Sequence, residues 1–262
     1  MCRLTRYLYR RWISDLLARL SLLSTLLLLL PATQTLAGDS LDWSVTPYIW
    51  ATETQYKLKF DGSPVDSGTV TFDDLIDTTD ASFQLVTEAG WSDGHWSAFA
   101  DVTYFDASDT YKGPLVRVDS DSEQWLVDVA VAWWPGGEAR GLNLFVGARY
   151  TDLDDSYDFK VVGSEMRLGV VDNSRDFVDA LIGVRQRFTL AERWSLLTRA
   201  DYSNGDSEGI WQMQALVRYA LGKGEKYGLM FGYRYKKAKF EYNNLEEDNE
   251  YYGPLLGFNF RF

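Results

Sequence analysis

Past residue 40 the chain alternates apolar and polar positions with a period of two, in pieces about ten residues long. That is the length a tilted strand needs to cross a bilayer. Ten such pieces stand out, roughly at 43–52, 83–92, 95–105, 123–134, 142–152, 176–189, 193–203, 208–221, 226–239 and 250–262. The ninth is the clearest: Tyr227, Leu229, Phe231, Tyr233 and Tyr235 share one face, and Gly228, Met230, Gly232, Arg234 and Lys236 the other. In the eighth, Trp211, Met213, Ala215, Val217 and Tyr219 oppose Gln212, Gln214, Leu216 and Arg218. Apolar faces with aromatic ends suit lipid, and polar faces suit the interior of a closed barrel.

The connections alternate as well. Ser92-Asp93-Gly94, Pro135 to Gly141, Leu190-Ala191-Glu192 and Gly222 to Glu225 are tight polar or Gly-rich turns. The stretches near 53–82, 106–122, 153–175 and 240–249 read as long loops, while Asn204-Gly-Asp-Ser207 is short. Short periplasmic turns, longer outer loops and an even strand count predict an all-β fold. It is a closed antiparallel transmembrane β-barrel, ten strands with eight as the alternative, both termini periplasmic. A soluble β-sandwich or lipocalin-like barrel is a further alternative, but it would bury the aromatic face and show the charged one to water.

The first part of the chain follows another rule. Arg3, Arg6, Arg10, Arg11 and Arg19 precede the apolar run Leu20 to Leu30, and Thr35-Leu36-Ala37 carries the small residues of a cleavage site. A run of about eleven apolar residues is half of what a membrane helix needs, so residues 1–37 read as a cleaved signal peptide and 38–262 as the barrel domain. Five of the 26 basic and one of the 38 acidic residues leave with that leader, so the mature chain carries 21 and 37, a net charge of −16. Such a chain repels nucleic acid. Cys2, the single cysteine, also leaves, so no disulfide or thiol nucleophile remains. Aromatics are 15% of the residues, with 10 Trp and 16 Tyr, although the mean hydropathy is −0.25. Aromatic girdles around a polar lumen account for both numbers.

The last strand places Phe258, Phe260 and the final residue Phe262 on the lipid face, with Asn259 and Arg261 inside. A terminal aromatic strand resembles the signal read by the barrel-assembly machinery. That machinery, outer-membrane lipid and lipopolysaccharide are the expected partners.

Several stretches resemble a family of uncharacterised Gram-negative outer-membrane barrel proteins: Trp43-Ser-Val-Thr-Pro-Tyr-Ile-Trp-Ala51, Phe72-Asp-Asp-Leu-Ile76, Gly147-Ala-Arg-Tyr150, Glu192-Arg-Trp-Ser-Leu-Leu197, Gly232-Tyr-Arg-Tyr235 and Gly253-Pro-Leu-Leu-Gly-Phe258. More loosely the chain is similar in fold to the membrane domain of outer-membrane protein A. The resemblance implies the barrel and its location and is silent on activity.

The inward faces hold the candidate chemistry. Glu88, Asp101 and Asp128 lie on strands two to four, and Arg149, Asp179, Arg185, Arg187, Arg199, Asp201, Arg218 and Arg234 on strands five to nine. Buried charges persist only when paired, and Arg forks suit bidentate contact with carboxylates. The expected function is therefore a non-enzymatic barrel whose lumen is largely filled by ion pairs, acting in envelope structure or surface binding. A narrow porin-like channel through the same charges is the alternative. Proteolytic and lipid-modifying barrels resemble one another in needing a histidine base, and this chain has only His95, on a turn expected on the periplasmic side. No catalytic set, metal site or cofactor is expected. The acidic loops around Asp73, Asp74, Asp119, Asp121, Asp154, Asp155, Glu246 and Glu247 offer oxygens to divalent cations, but solvated loops explain them as well. The apolar spacing of Phe72 to Ile76 predicts a helical turn over the barrel mouth.

Overall fold

The computed structural model describes residues 41–138, 141–164, 166–222, 224–242 and 244–262; the leader and cleavage site read at 1–37 lie outside them. The described residues form β1 (Asp42–Trp50), β2 (Glu53–Phe60), β3 (Ser63–Val70), α1 (Phe72–Thr78), β4 (Thr79–Gly90), β5 (Trp96–Lys112), β6 (Val116–Trp133), β7 (Leu142–Val161), β8 (Arg167–Ala191), β9 (Trp194–Gly205), β10 (Gly209–Leu221), β11 (Tyr227–Tyr242) and β12 (Leu245–Arg261). Sequential antiparallel pairing runs from β4 to β12. β1 then joins β4 on one side and β12 on the other, with Ser44 opposite Glu88 and opposite Arg261. Ten strands thus close a ring with no free edge, the arrangement that leaves no backbone group unpaired against lipid.

The two extra strands lie where a long loop is expected. β2 continues along β12 beyond the end of β1, pairing Thr54 with Tyr251 and Phe60 with Leu245, and β3 folds back on β2. The break between β1 and β2 falls at Ala51-Thr52, against Gly253-Pro254 of β12. Pro254 has no N–H for the ladder, but its carbonyl accepts the Ala51 N–H at 2.9 Å. A Cβ on Gly253 would land on the Ala51 carbonyl, so only glycine admits this approach. Helix α1 forms over the stretch expected to be helical and packs beside β5.

The other expected loops are mostly strand. β7 runs 20 residues and β8 runs 25, far beyond the ten needed for a bilayer. Beyond the membrane an outward position meets water, so Asp152, Asp154 and Asp158 extend the ladder without an apolar partner pattern. The period-two signal fades there while the hydrogen bonding continues.

The outer wall carries Val129, Val131, Leu144, Val146, Val178, Ile182, Met213, Phe231 and Leu256, all exposed. Toward the end with the tight turns this belt is bounded by Trp91, Trp96, Trp133, Trp194 and Tyr227, and toward the other by Trp125, Tyr150, Tyr202 and Trp211. Trp96 packs near Trp133 with ring centroids 6.5 Å apart, and Trp211 near Tyr235 at 5.2 Å. Trp125 and Trp133 on β6 are separated by about 27 Å of tilted strand, the scale of the apolar band of a membrane barrel.

The interior departs from the expected polar face. Three apolar clusters fill it: Tyr48, Trp50, Leu216, Met230 and Leu255; Phe99, Ala130, Ala132, Phe145 and Leu181; and Leu153, Phe177, Ile210, Ala238 and Phe240. Charges in the lumen form layers between these apolar side chains.

Candidate functional site

Register creates the central charge layer. Across β5 to β8, Asp101 lies opposite Asp128, Asp128 opposite Arg149, and Arg149 opposite Asp179, all inward at one height. From the other wall, β9 brings Arg199 and Asp201 and β11 brings Arg234. Arg149 donates from Nε to Asp128 Oδ1 at 2.7 Å, and from Nη2 to Asp128 Oδ2 at 2.9 Å and Asp201 Oδ1 at 2.7 Å. Arg199 donates to Asp128 and Asp201, each at 2.6 Å, and to Asp101 at 3.3 Å. Arg234 reaches Asp101 at 3.3 Å and the Tyr48 hydroxyl at 3.0 Å, and Tyr48 in turn donates to Asp101 at 2.7 Å.

All of these groups are buried; Arg149 is 1% exposed. Six of the charges expected in the lumen therefore form one network: Asp101, Asp128, Arg149, Arg199, Asp201 and Arg234. Asp179 joins through Ser203, which accepts from Arg149 at 3.3 Å and donates to Asp179 at 3.0 Å, while Ser207 also donates to Asp179. Guanidinium forks shared among carboxylates satisfy charges that burial would otherwise make costly. Acids and bases interleave around the layer, with Arg149 between Asp128 and Asp179 and Asp201 between Arg149 and Arg199.

The remaining expected residues sit nearer the tight turns. Arg185 grips Glu88 with two contacts, 2.7 and 3.1 Å, and lies 4.4 Å over the Phe99 ring; Ser97 also donates to Glu88. Arg187 pairs with Glu138 at 2.9 Å. Arg218 donates to Asn259 and to the carbonyls of Glu225 and Tyr227.

Several participants are not among the expected lumen charges. Tyr48 is an aromatic with no expected place in the lumen, yet it is buried and its hydroxyl contacts Asp101. Lys236, buried beside the network, shares the inward face of the ninth strand with Arg234, so alternation alone was enough to find it. Gln212, Ser203 and Ser207 carry no charge and leave no comparable signal.

A second polar layer lies beyond the belt, at the end opposite the tight turns. Arg175 pairs with Glu247 at 3.0 Å and Asp155 at 3.6 Å, and Ser122 donates to Asp155. Burial pushes the Asp155 carboxyl above the usual carboxylate range, with the Ser122 hydrogen bond and Arg175 pulling the other way. Asp119, by contrast, is held well below that range by hydrogen bonds from Lys160 and Thr110, with Arg117 adding to them. Among the described residues no three acidic, His or Cys side chains converge closely enough to hold a metal ion. His95 lies on the β4–β5 turn, its Nδ1 3.1 Å from the Trp134 carbonyl.

No family model matches the chain, and neither does any curated protein sequence. Among solved structures it is similar to the outer membrane protease OmpT from Escherichia coli, with a TM-score of 0.60 and 9% identity, covering 87% of this chain and 99% of that one. It is also similar to the attachment invasion locus protein Ail of Yersinia pestis, with a TM-score of 0.39 and 10% identity over 86% of this chain and 100% of that one. For the beta domain of the Bordetella autotransporter BrkA the TM-score is 0.39 and the identity 13%, over 84% and 98%. Only the first likeness is strong enough to argue from, and at that identity it speaks to fold and not to activity. The chain has the closed, antiparallel, ten-stranded β-barrel fold of outer-membrane proteins.

Proposed function

We propose that this chain is an exported, non-enzymatic outer-membrane barrel with a closed lumen, acting in envelope structure or in binding at the cell surface. Arg149 carries the reading: it is fully buried across the middle of the barrel and shared between Asp128 and Asp201, with apolar clusters packed around that layer. Ten strands also stand near the size at which side chains fill a barrel. The apolar belt and its aromatic borders support insertion in lipid, with lipopolysaccharide on the outside. In this reading residues 1–37 are the export signal, both termini are periplasmic, and Phe258, Phe260 and Phe262 address the barrel-assembly machinery.

The observation favouring a channel is the charged layer itself, since displacing one arginine would leave a polar path. Conductance of the purified protein in planar bilayers separates the two. A closed barrel gives no steady openings. Steady openings that change in Arg199→Ala or Asp128→Ala would replace this reading with the channel.

OmpT is a protease by name, so an enzymatic role is a reading to test. His95 engages a backbone carbonyl on a tight turn, an environment that does not activate a nucleophile. Peptide or lipid turnover abolished by His95→Ala would establish the enzymatic reading instead.

A further inference from the structure

Two cavities open side by side at the end with the tight turns, about 640 Å³ at the mouth and about 140 Å³ further in. Their shared wall includes Arg187 and Arg261, and Arg218 lines the inner one. Acids line the mouth as well, Asp42 and Glu225 among them, but the pairing with the arginines is uneven. Arg185 is answered by Glu88, and Arg187 by Glu138. Arg218 donates to the Asn259 amide oxygen at 3.2 Å and to two backbone carbonyls, and among the described residues neither it nor Arg261 has an acidic partner within salt-bridge distance. Arg218 is 6% exposed. Two guanidiniums with no carboxylate in direct contact thus face one enclosed space. Cations without a direct partner in such a place are costly unless an anion answers them.

We propose that this vestibule is a binding site for a phosphate group, either inorganic phosphate or the phosphate of a small monoester, held by Arg218 and Arg261 with Arg187 at the rim. A phosphate dianion can contact both guanidiniums at once and carries a charge for each, whereas a carboxylate carries only one. Guanidiniums on β8, β10 and β12 approach from three strands, Arg218 through its Nη1 group, which makes none of the contacts to Asn259, Glu225 and Tyr227. Thr198 and Gln214 on the inner wall supply further polar atoms, and the mouth, bordered by Trp91 and Trp96, has room for an attached sugar-sized group. The site stands whether or not the lumen beyond it conducts.

Isothermal titration of the full chain, purified from membranes in detergent, tests this with inorganic phosphate, glucose 6-phosphate and acetate. Saturable binding of phosphate, with acetate much weaker, is expected. Binding of both phosphates assigns the site to the phosphoryl group of a monoester, and binding of inorganic phosphate alone assigns it to the free anion. Arg261→Gln should weaken binding roughly tenfold, the loss of one charge-assisted hydrogen bond. Glu138→Gln should tighten it, because Arg187 is released toward the cavity; a merely structural role would not produce that gain. Retained heat-modifiable mobility on gels identifies folded variants, and Glu138→Gln decides the matter if Arg261→Gln does not fold. Absence of saturable phosphate binding in the unmodified protein, or equal affinity in it and the folded variants, overturns the site.

Discussion

Arg149 on β7 lies directly opposite Asp128 on β6 and holds both of its carboxylate oxygens, at 2.7 and 2.9 Å. The pair is buried, and its third partner, Asp201, comes from the far wall. Removing the cation leaves two buried carboxylates to share Arg199 and strips each of the hydrogen bonds that Arg149 gives it. Arg149→Ala should therefore destabilise the barrel by about 3–5 kcal/mol, read from guanidinium unfolding followed by tryptophan fluorescence. Asp128→Asn, which keeps an acceptor for Arg149, should cost less. A double-mutant cycle between the two positions should show a favourable coupling; additive effects would mean that the contact contributes nothing of its own.

Gly232 marks a close approach between β10 and β11. A Cβ there would fall on the carbonyl of Ala215, which is backbone and cannot swing aside. Gly232→Ala is expected to lose about 1–3 kcal/mol, the range for overpacking. Gly169, on the outer part of β8, has nothing within 4 Å of the same position, so Gly169→Ala should be neutral or slightly stabilising. Unfolding midpoints of the two variants test the contrast.

The ring of ten strands was readable because lipid outside and a core inside impose opposite demands on successive residues. The same physics explains what was not. Past Tyr150 on β7, water replaces lipid, acids are tolerated outward, and a strand looks like an acidic loop. The pairing of Asp128 with Arg149 is local to two adjacent strands, but that of Asp101 with Arg199 joins β5 to β9 across a closed lumen. No periodicity reports which strands face each other over that distance. Tyr48 carries no sign of its place because one residue type serves both girdle and core; its hydroxyl finds Asp101 only once the ring has closed.

Phe231 faces outward near the middle of the apolar belt and is 43% exposed. Arginine there would stand in hydrocarbon, at an expected cost of about 2–4 kcal/mol. Glu192, on the exposed turn between β8 and β9, lies outside the belt, and Glu192→Arg should change little. Refolding yield into lipid vesicles compares the two. Equal tolerance would mean that the exposed belt does not contact lipid.

Acid should act on the far ends of β6 and β7 in two opposite steps. Burial raises the Asp155 carboxyl above its unfolded value, so its contribution is present in acid and is lost as pH rises through the folded value. Asp119 is depressed, chiefly by the Lys160 hydrogen bond, so its contribution is present above the ordinary carboxylate range and is lost as pH falls below about 4. Falling pH should first tighten this region and then loosen it, giving a maximum of amide protection near the ordinary carboxylate range. Hydrogen exchange of β6 and β7, corrected for intrinsic rates, measures the profile. Lys160→Met should blunt the loss on the acid side, and Asp155→Asn should remove the rise that precedes it. A profile unchanged in both variants would show that neither carboxylate governs the pH response of this end.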